Sequence, residues 1–250
     1  MRIDRPVTVT ALTLVLGLAS LPASAALINV NFTVDASIDP TNYTGLGAAP
    51  DANGNTFWNR VGLGAVNNLL FSDGTTTSTV GISSSGFAGA FSNLVINNVP
   101  PPNALLGTRI IKTDGDITPA TVTLTGLTPG ARYALYAYTG YYSTSFAVGA
   151  ISGTAAGTGF TENNPANWTE GTQYARLLSV SADGSGVLTL TVTGISPNAT
   201  TQFTPTTVIA GLQLASIDSP PTVPEPSVGF GLLGIGLLGM LSPLARGLKK

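Results

Sequence analysis

The chain has 250 residues, 10 of them basic and 12 acidic, so that 9% of side chains are charged and the formal net charge is −2; an ordinary soluble domain carries about 25%. Histidine and cysteine are both absent, which excludes a disulfide framework, a thiolate nucleophile, a Ser-His-Asp triad and any metal or haem site built on those residues. So few cations exclude a phosphate-backbone interface with nucleic acid, and a hydrophobic content of 43% excludes compositional disorder.

Arg2 and Arg5 precede an apolar run from Val7 to Leu21, and Pro22 then leads into Ala23-Ser24-Ala25. A basic start, an apolar centre and a small-x-small end are the layout of a secretory signal peptide over 1–25, with signal peptidase as the implied partner. A domain over 26–217 follows. Its first strand is expected at Leu27–Thr33. Between Tyr43 and Asn59 the chain is rich in Gly and Asn and carries Trp58 beside Asn59; a matching segment near 163–171 carries Asn167 beside Trp168. Aromatic rings flanked by amides suit sugar recognition, the ring against the apolar face of a pyranose and the amides on its hydroxyls. The same two indoles are expected first to close the ends of a core, since tryptophan is mostly buried, with ligand contact the second reading.

Further strands are expected at Thr77–Ser83 and Leu105–Lys112. Asp114-Gly115-Asp116 offers two carboxylates at a spacing too short for a known calcium loop, so a solvated turn is the expectation and no metal or cofactor is assigned. Ala120–Thr125 alternates Val122 and Leu124 with threonines, the period of a half-buried strand. A Pro129-Gly130 turn leads to a strand at Ala131–Tyr138. Tyr141 and Tyr142 follow it at a strand end, where loops carry function, and they join Trp58, Trp168, Asn59 and Asn167 as candidate glycan contacts. Ser145–Val148 is the next strand. Glu162 and Glu170 are the only glutamates between residues 26 and 222; neither context raises a carboxyl pKa, and glycoside hydrolysis needs two carboxyl groups on one cleft, so no catalytic residue is assigned. Tyr174–Ser181, an Asp183-Gly-Ser-Gly turn and Val187–Thr193 read as a hairpin, and a last strand is expected at Thr207–Ala215. No stretch offers ten residues of clean helical periodicity.

Strands of this number with one wet face pack as two sheets or close into a barrel. The expected fold is all-β, an antiparallel β-sandwich of jelly-roll kind, with its first and last strands paired in one sheet. Residues 26–222 hold ten acidic and five basic side chains, a net charge of −5.

A Pro-rich linker at 218–227 ends the domain. Pro224-Glu225-Pro226 opens an uncharged, Gly- and Leu-rich stretch of 18 residues, Val228 to Ala245, before Arg246, Lys249 and Lys250. Eighteen helical residues span about 27 Å, just enough for a bilayer core, so a transmembrane helix with a basic tail is expected over 228–250, the tail at a cytoplasmic end. Motif, span and basic end in this order resemble the PEP-CTERM sorting signal of exported bacterial proteins. The resemblance rests on Pro224, Glu225, Pro226 and Arg246 and covers the tail alone. It implies an exosortase as processing partner, a Gram-negative producer of exopolysaccharide, transient anchoring in the inner membrane, and a final place on the outer cell surface or in the extracellular matrix. With so thin an acid-base repertoire, the expected function is that of a non-enzymatic surface or matrix protein; the alternative is a carbohydrate-binding module, with exopolysaccharide as ligand, and an enzyme acting on glycosides ranks third.

Overall fold

The alternating segments form strands, and the computed structural model, which describes residues 27–33, 43–51, 54, 56–92, 104–140, 142–157, 168–195 and 204–218, orders them as follows. β1 (Leu27–Phe32), β2 (Asn59–Val61), β3 (Ala65–Val66), β4 (Gly81–Ser85) and β5 (Gly89–Ser92) precede a single helical turn, α1 (Ala104–Gly107). β6 (Thr108–Ile111), β7 (Ala120–Thr125), β8 (Arg132–Tyr138), β9 (Thr144–Val148) and β10 (Ile151–Ala155) follow. β11 (Tyr174–Ser181), β12 (Leu188–Gly194), β13 (Val208–Ile209) and β14 (Gly211–Ser216) complete the series.

Two large sheets face each other. One has the order β11-β8-β14-β1-β2 and the other β10-β9-β12-β7-β4-β3, and a small sheet, β13-β6-β5, stands beside them. The first and last strands pair as expected, Leu27 opposite Ala215 through Asn31 opposite Gly211. The architecture is all-β and sandwich-like, but not purely antiparallel: β1 pairs parallel to β2, Val30 opposite Asn59. The expected hairpin is also corrected. β11 pairs with β8 in one sheet and β12 with β7 and β9 in the other, so the Asp183–Gly186 turn carries the chain across the sandwich. Asp183 Oδ1 shapes that turn by accepting from the amides of Ser185 at 2.8 Å and Val187 at 2.9 Å. The Leu127–Gly130 connection crosses likewise between β7 and β8, with Gly126 at φ 71° set against the Thr79 carbonyl, where no Cβ fits.

The register places Ile28, Leu214, Leu135 and Leu177 in one row across four strands. All four are buried against Ile82, Val122, Leu124, Leu188, Leu190 and Phe146 of the facing sheet; each such side chain contributes roughly 1.5–3 kcal/mol on burial. The neighbouring row, Asn29, Gln213, Tyr136 and Arg176, points the other way. That outer face was expected to be wet. Instead, residues 43–49, Trp58 and the α1 leucines, Leu105 and Leu106, cover it, and with Tyr138 and Tyr174 they form a second buried cluster. β1 is therefore buried at every position.

Among the described residues no helix is long and apolar enough to cross a membrane. The expected transmembrane helix at 228–250, with most of its flanking linker, lies outside the described residues, and the structure supports an all-β, sandwich-like arrangement for the residues it describes.

Candidate functional site

The structure distributes the sequence candidates unequally. Trp58 is fully buried, its ring edge-on to Tyr43 at 5.2 Å and to Tyr138 at 6.0 Å, and its indole N–H donates to the Gly45 carbonyl at 2.9 Å. Asn59 is buried too: its amide donates to the carbonyls of Asn29 and Leu70 and accepts from the Leu70 amide, closing the gap between β1 and the following loop. Both side chains spend their polar atoms inside the fold. Trp168 is half-buried, edge-on to Tyr138 at 5.0 Å, and donates to the Leu46 carbonyl at 2.8 Å. Asn167, Tyr141, Glu162 and the residues Pro224, Glu225, Pro226 and Arg246 lie outside the described residues. Glu170 is exposed and pairs with Arg176 at 3.0 Å.

Tyr142 alone of the candidates opens on a cleft. The cleft has a volume of about 480 Å³ and is lined by Phe91, Arg109, Lys112, Asp114 and Tyr142 with Gly89 and Ile111. Its floor follows from register. Gly89 lies opposite Ile111 and Phe91 opposite Arg109, so these four share the outer face of the small sheet, while Ile110 turns into the main core. Phe91 is 49% exposed, unusual for so large an apolar side chain. Its ring lies along the strand over Gly89: a Cβ there would meet the ring at 3.0 Å. Glycine at 89 thus leaves room for the edge of the ring beside the strand.

The walls are pinned from elsewhere. The Tyr142 carbonyl accepts from the hydroxyls of Thr139 at 2.8 Å and Thr144 at 3.1 Å, which fixes the turn between β8 and β9. The turn that carries Asp114 is closed by Asp116 N–H on the Thr113 carbonyl at 2.9 Å, and is tied to Thr207 by Lys112 N–H on its carbonyl and Thr207 N–H on that of Asp116, each at 3.0 Å. Burial pushes the Tyr142 hydroxyl above its ordinary pKa; the Arg109 charge draws it down and the Asp114 charge raises it, so both charges reach that phenol. The cleft therefore brings together a half-exposed aromatic ring, an exposed carboxylate and a phenol, with Arg109 buried in its lining. Among the described residues no group of three or more His, Cys, Asp or Glu side chains could hold a metal, and of the carboxylates only Asp114 lines the cleft.

No family model matches the chain, and no curated protein matches it. Among solved structures it is similar to the plant receptor-like kinase ANX2, at 15% identity and a TM-score of 0.42 over 78% of this chain and 49% of that one. It is also similar to the ANX1 ectodomain of Arabidopsis thaliana, at 19% identity and TM-score 0.34 over 56% and 43%, and to the ANXUR1 extracellular domain of the same plant, at 16% identity and TM-score 0.33 over 77% and 48%. The chain spans about half the length of these structures or less.

These findings correct the sorting-signal assignment. No family model matches the chain, so none recognises its tail as a PEP-CTERM signal. The exosortase and signal peptidase as processing partners, the transient inner-membrane anchor and the sorted surface or matrix protein built on that assignment are withdrawn with it. The physical reason is low information content: a three-residue Pro-Glu-Pro, an apolar run and a few terminal cations arise readily in a chain with 17 prolines and 30 glycines.

Phe91, Arg109 and Asp114 were not among the sequence candidates. No motif marks Gly89-Ala-Phe-Ser92, and the signal that would have found it is the pairing of β5 with β6, which places Phe91 on Arg109.

Proposed function

We propose that the protein is a non-enzymatic carbohydrate-binding β-sandwich and that the cleft on the outer face of β5 and β6 is its ligand site. The observation that carries this reading is the half-exposed ring of Phe91 in a cleft that Arg109, Asp114 and Tyr142 also line. A pyranose has one face of C–H groups and an edge of hydroxyls, each able to donate and accept. The ring takes the former; the Asp114 carboxylate and the Tyr142 phenol take the latter. A volume of about 480 Å³ lies within the range of small-ligand sites. The lone carboxylate supports binding over hydrolysis, which needs two carboxyl groups about 5–9 Å apart. Export is supported by the signal-peptide layout of residues 1–25.

A glycan array probed with the full chain, repeated with Phe91→Ala and Tyr142→Ala, tests the reading. Binding to at least one glycan is expected from the natural chain and is lost or reduced at least tenfold in Phe91→Ala. Binding that survives both substitutions places the site elsewhere; an empty array refutes the function.

A further inference from the structure

We propose that the cleft between β5 and β6 selects neutral saccharides over saccharides that bear carboxylates. This rests on the carbohydrate reading above and concerns which members of that class the site admits. By charge count the cleft looks suited to a uronate, since Arg109 and Lys112, two of the five cations between residues 26 and 222, both line it. Their placement argues the opposite. The Lys112 ammonium is held by Asp116 at 3.1 Å and donates to the Thr118 hydroxyl at 2.5 Å, and its side chain is only 13% exposed. Asp116 is itself fixed, accepting from the Thr118 amide at 2.9 Å and hydroxyl at 2.6 Å, so the pair is built into the turn. Arg109 lies in the floor, 8% exposed.

The charge that an entering ligand meets is the carboxylate of Asp114, on the exposed turn at the rim. A carboxylate is an acceptor only. It draws the hydroxyl hydrogens of a neutral sugar, and hydrogen bonds to a charged acceptor are about twice as strong as neutral ones. A uronate brings a like charge to the same rim and gives up a hydroxymethyl donor to do so.

The test is calorimetric titration of the full chain with cellohexaose, laminarihexaose and maltohexaose, and with hexagalacturonate and an alginate hexamer, at 0.05 M and 0.5 M NaCl. At low salt at least one neutral hexasaccharide binds, and each uronate binds at least tenfold more weakly. At high salt the gap narrows at least threefold, because an exposed carboxylate is screened. Asp114→Asn narrows it to under threefold at low salt, with a thermal midpoint within 2 °C of the natural chain. Uronate binding within threefold of the neutral ligand, or tighter, overturns the selectivity and leaves the carbohydrate reading standing. A gap that neither salt nor Asp114→Asn moves overturns the role given to Asp114. Failure of all five ligands to bind overturns the carbohydrate reading itself.

Discussion

Gly89→Ala separates the seat of the Phe91 ring from the stability of the strand that carries it. The added Cβ would stand 3.0 Å from Phe91 Cε2, with Cζ at 3.7 Å and Cδ2 at 3.8 Å. Only the first contact is tight, and it is with a half-exposed ring, so the ring gives way by a few tenths of an ångström and the backbone does not. Alanine also removes glycine's excess unfolded-state freedom, about 0.5–1 kcal/mol in a strand. The net effect on folding is a gain of about 0.5 kcal/mol, or a midpoint higher by about 1–2 °C at this size. Binding moves the other way. A ring tilted off its ligand by about half an ångström forfeits a quarter to a half of its contact energy, and an aromatic contact is worth about 0.5–1.5 kcal/mol. Affinity therefore falls about 1.2- to 3.5-fold for the best glycan, against about tenfold for Phe91→Ala. Thermal unfolding and calorimetric titration of the three proteins together read both effects. A midpoint lowered by more than 2 °C, or unchanged affinity in both variants, refutes glycine 89 as the seat of a ligand-binding ring.

Trp58→Ala, which empties a fully buried site and frees the Gly45 carbonyl, costs about 3–5 kcal/mol in urea unfolding; a loss under 1 kcal/mol would mean the loop over it is not integral to the fold. Tyr138→Phe leaves the Ala48 amide without its acceptor and Gln213 without the phenol's hydrogen, at a cost of about 1–3 kcal/mol, again by urea unfolding. Asp73 and Asp116 are held at about 2, chiefly by hydrogen bonds from Thr76 and Thr118; their contribution is present above the ordinary carboxyl pKa and is lost as pH falls from about 4 through about 2, so acid melts show a flat midpoint down to about pH 5 and a decline below it. Burial raises the pKa of Tyr43 and Tyr138; their contribution is full below about pH 10 and lost above it, and absorbance at 295 nm reports two phenols that titrate only as the protein unfolds.

Legibility followed the number of wet faces. Ala120–Thr125 and Tyr174–Ser181 match β7 and β11 residue for residue; in β7 one face is buried and the period of two survives in the sequence, whereas in β11 a bulge between Leu177 and Val180 interrupts it. β2, β3, β5 and β10 are short and rich in small or polar residues, and their strand character comes from their neighbours' ladders. Thr207–Ala215 reads as one strand, but it bends at Ala210: Val208 and Ile209 pair with β6, and the remainder pairs with β1 and β8. The Asp183–Gly186 turn resembles a hairpin locally, and nothing in it records that its two strands belong to different sheets. The candidate site was legible only at Tyr142. Asn and Gly around Trp58 resemble an exposed loop, yet the carbonyls of that loop are what the buried indoles need.

The placement of the aromatic side chains settles which of them remains open to a ligand. On the outer face of the β8-bearing sheet, Ala48 N–H donates to the Tyr138 hydroxyl at 2.6 Å, that hydroxyl donates to Gln213, and Gln213 donates onward to Asn29 at 2.7 Å. Asn29 in turn donates to the Phe57 carbonyl at 2.8 Å, while Gln213 also accepts from Ala49 N–H at 2.8 Å. Such a chain is favourable when every member is satisfied and costly when one is not. It leaves Tyr138 and Gln213 no atom to offer a sugar, and it fixes the 43–49 segment over the rings. Gly47 belongs to the same arrangement, since a Cβ there would strike the Gln213 amide. This face, which carries most of the aromatic mass, serves to hold a loop. The small sheet has the reverse economy: its core-facing Ile110 is buried at no polar cost, and its outer Phe91 has no hydrogen bond to satisfy and only glycine beneath it. A ring free of internal obligations, in a cleft lined also by Arg109, Asp114 and Tyr142, is the placement on which the proposed site rests.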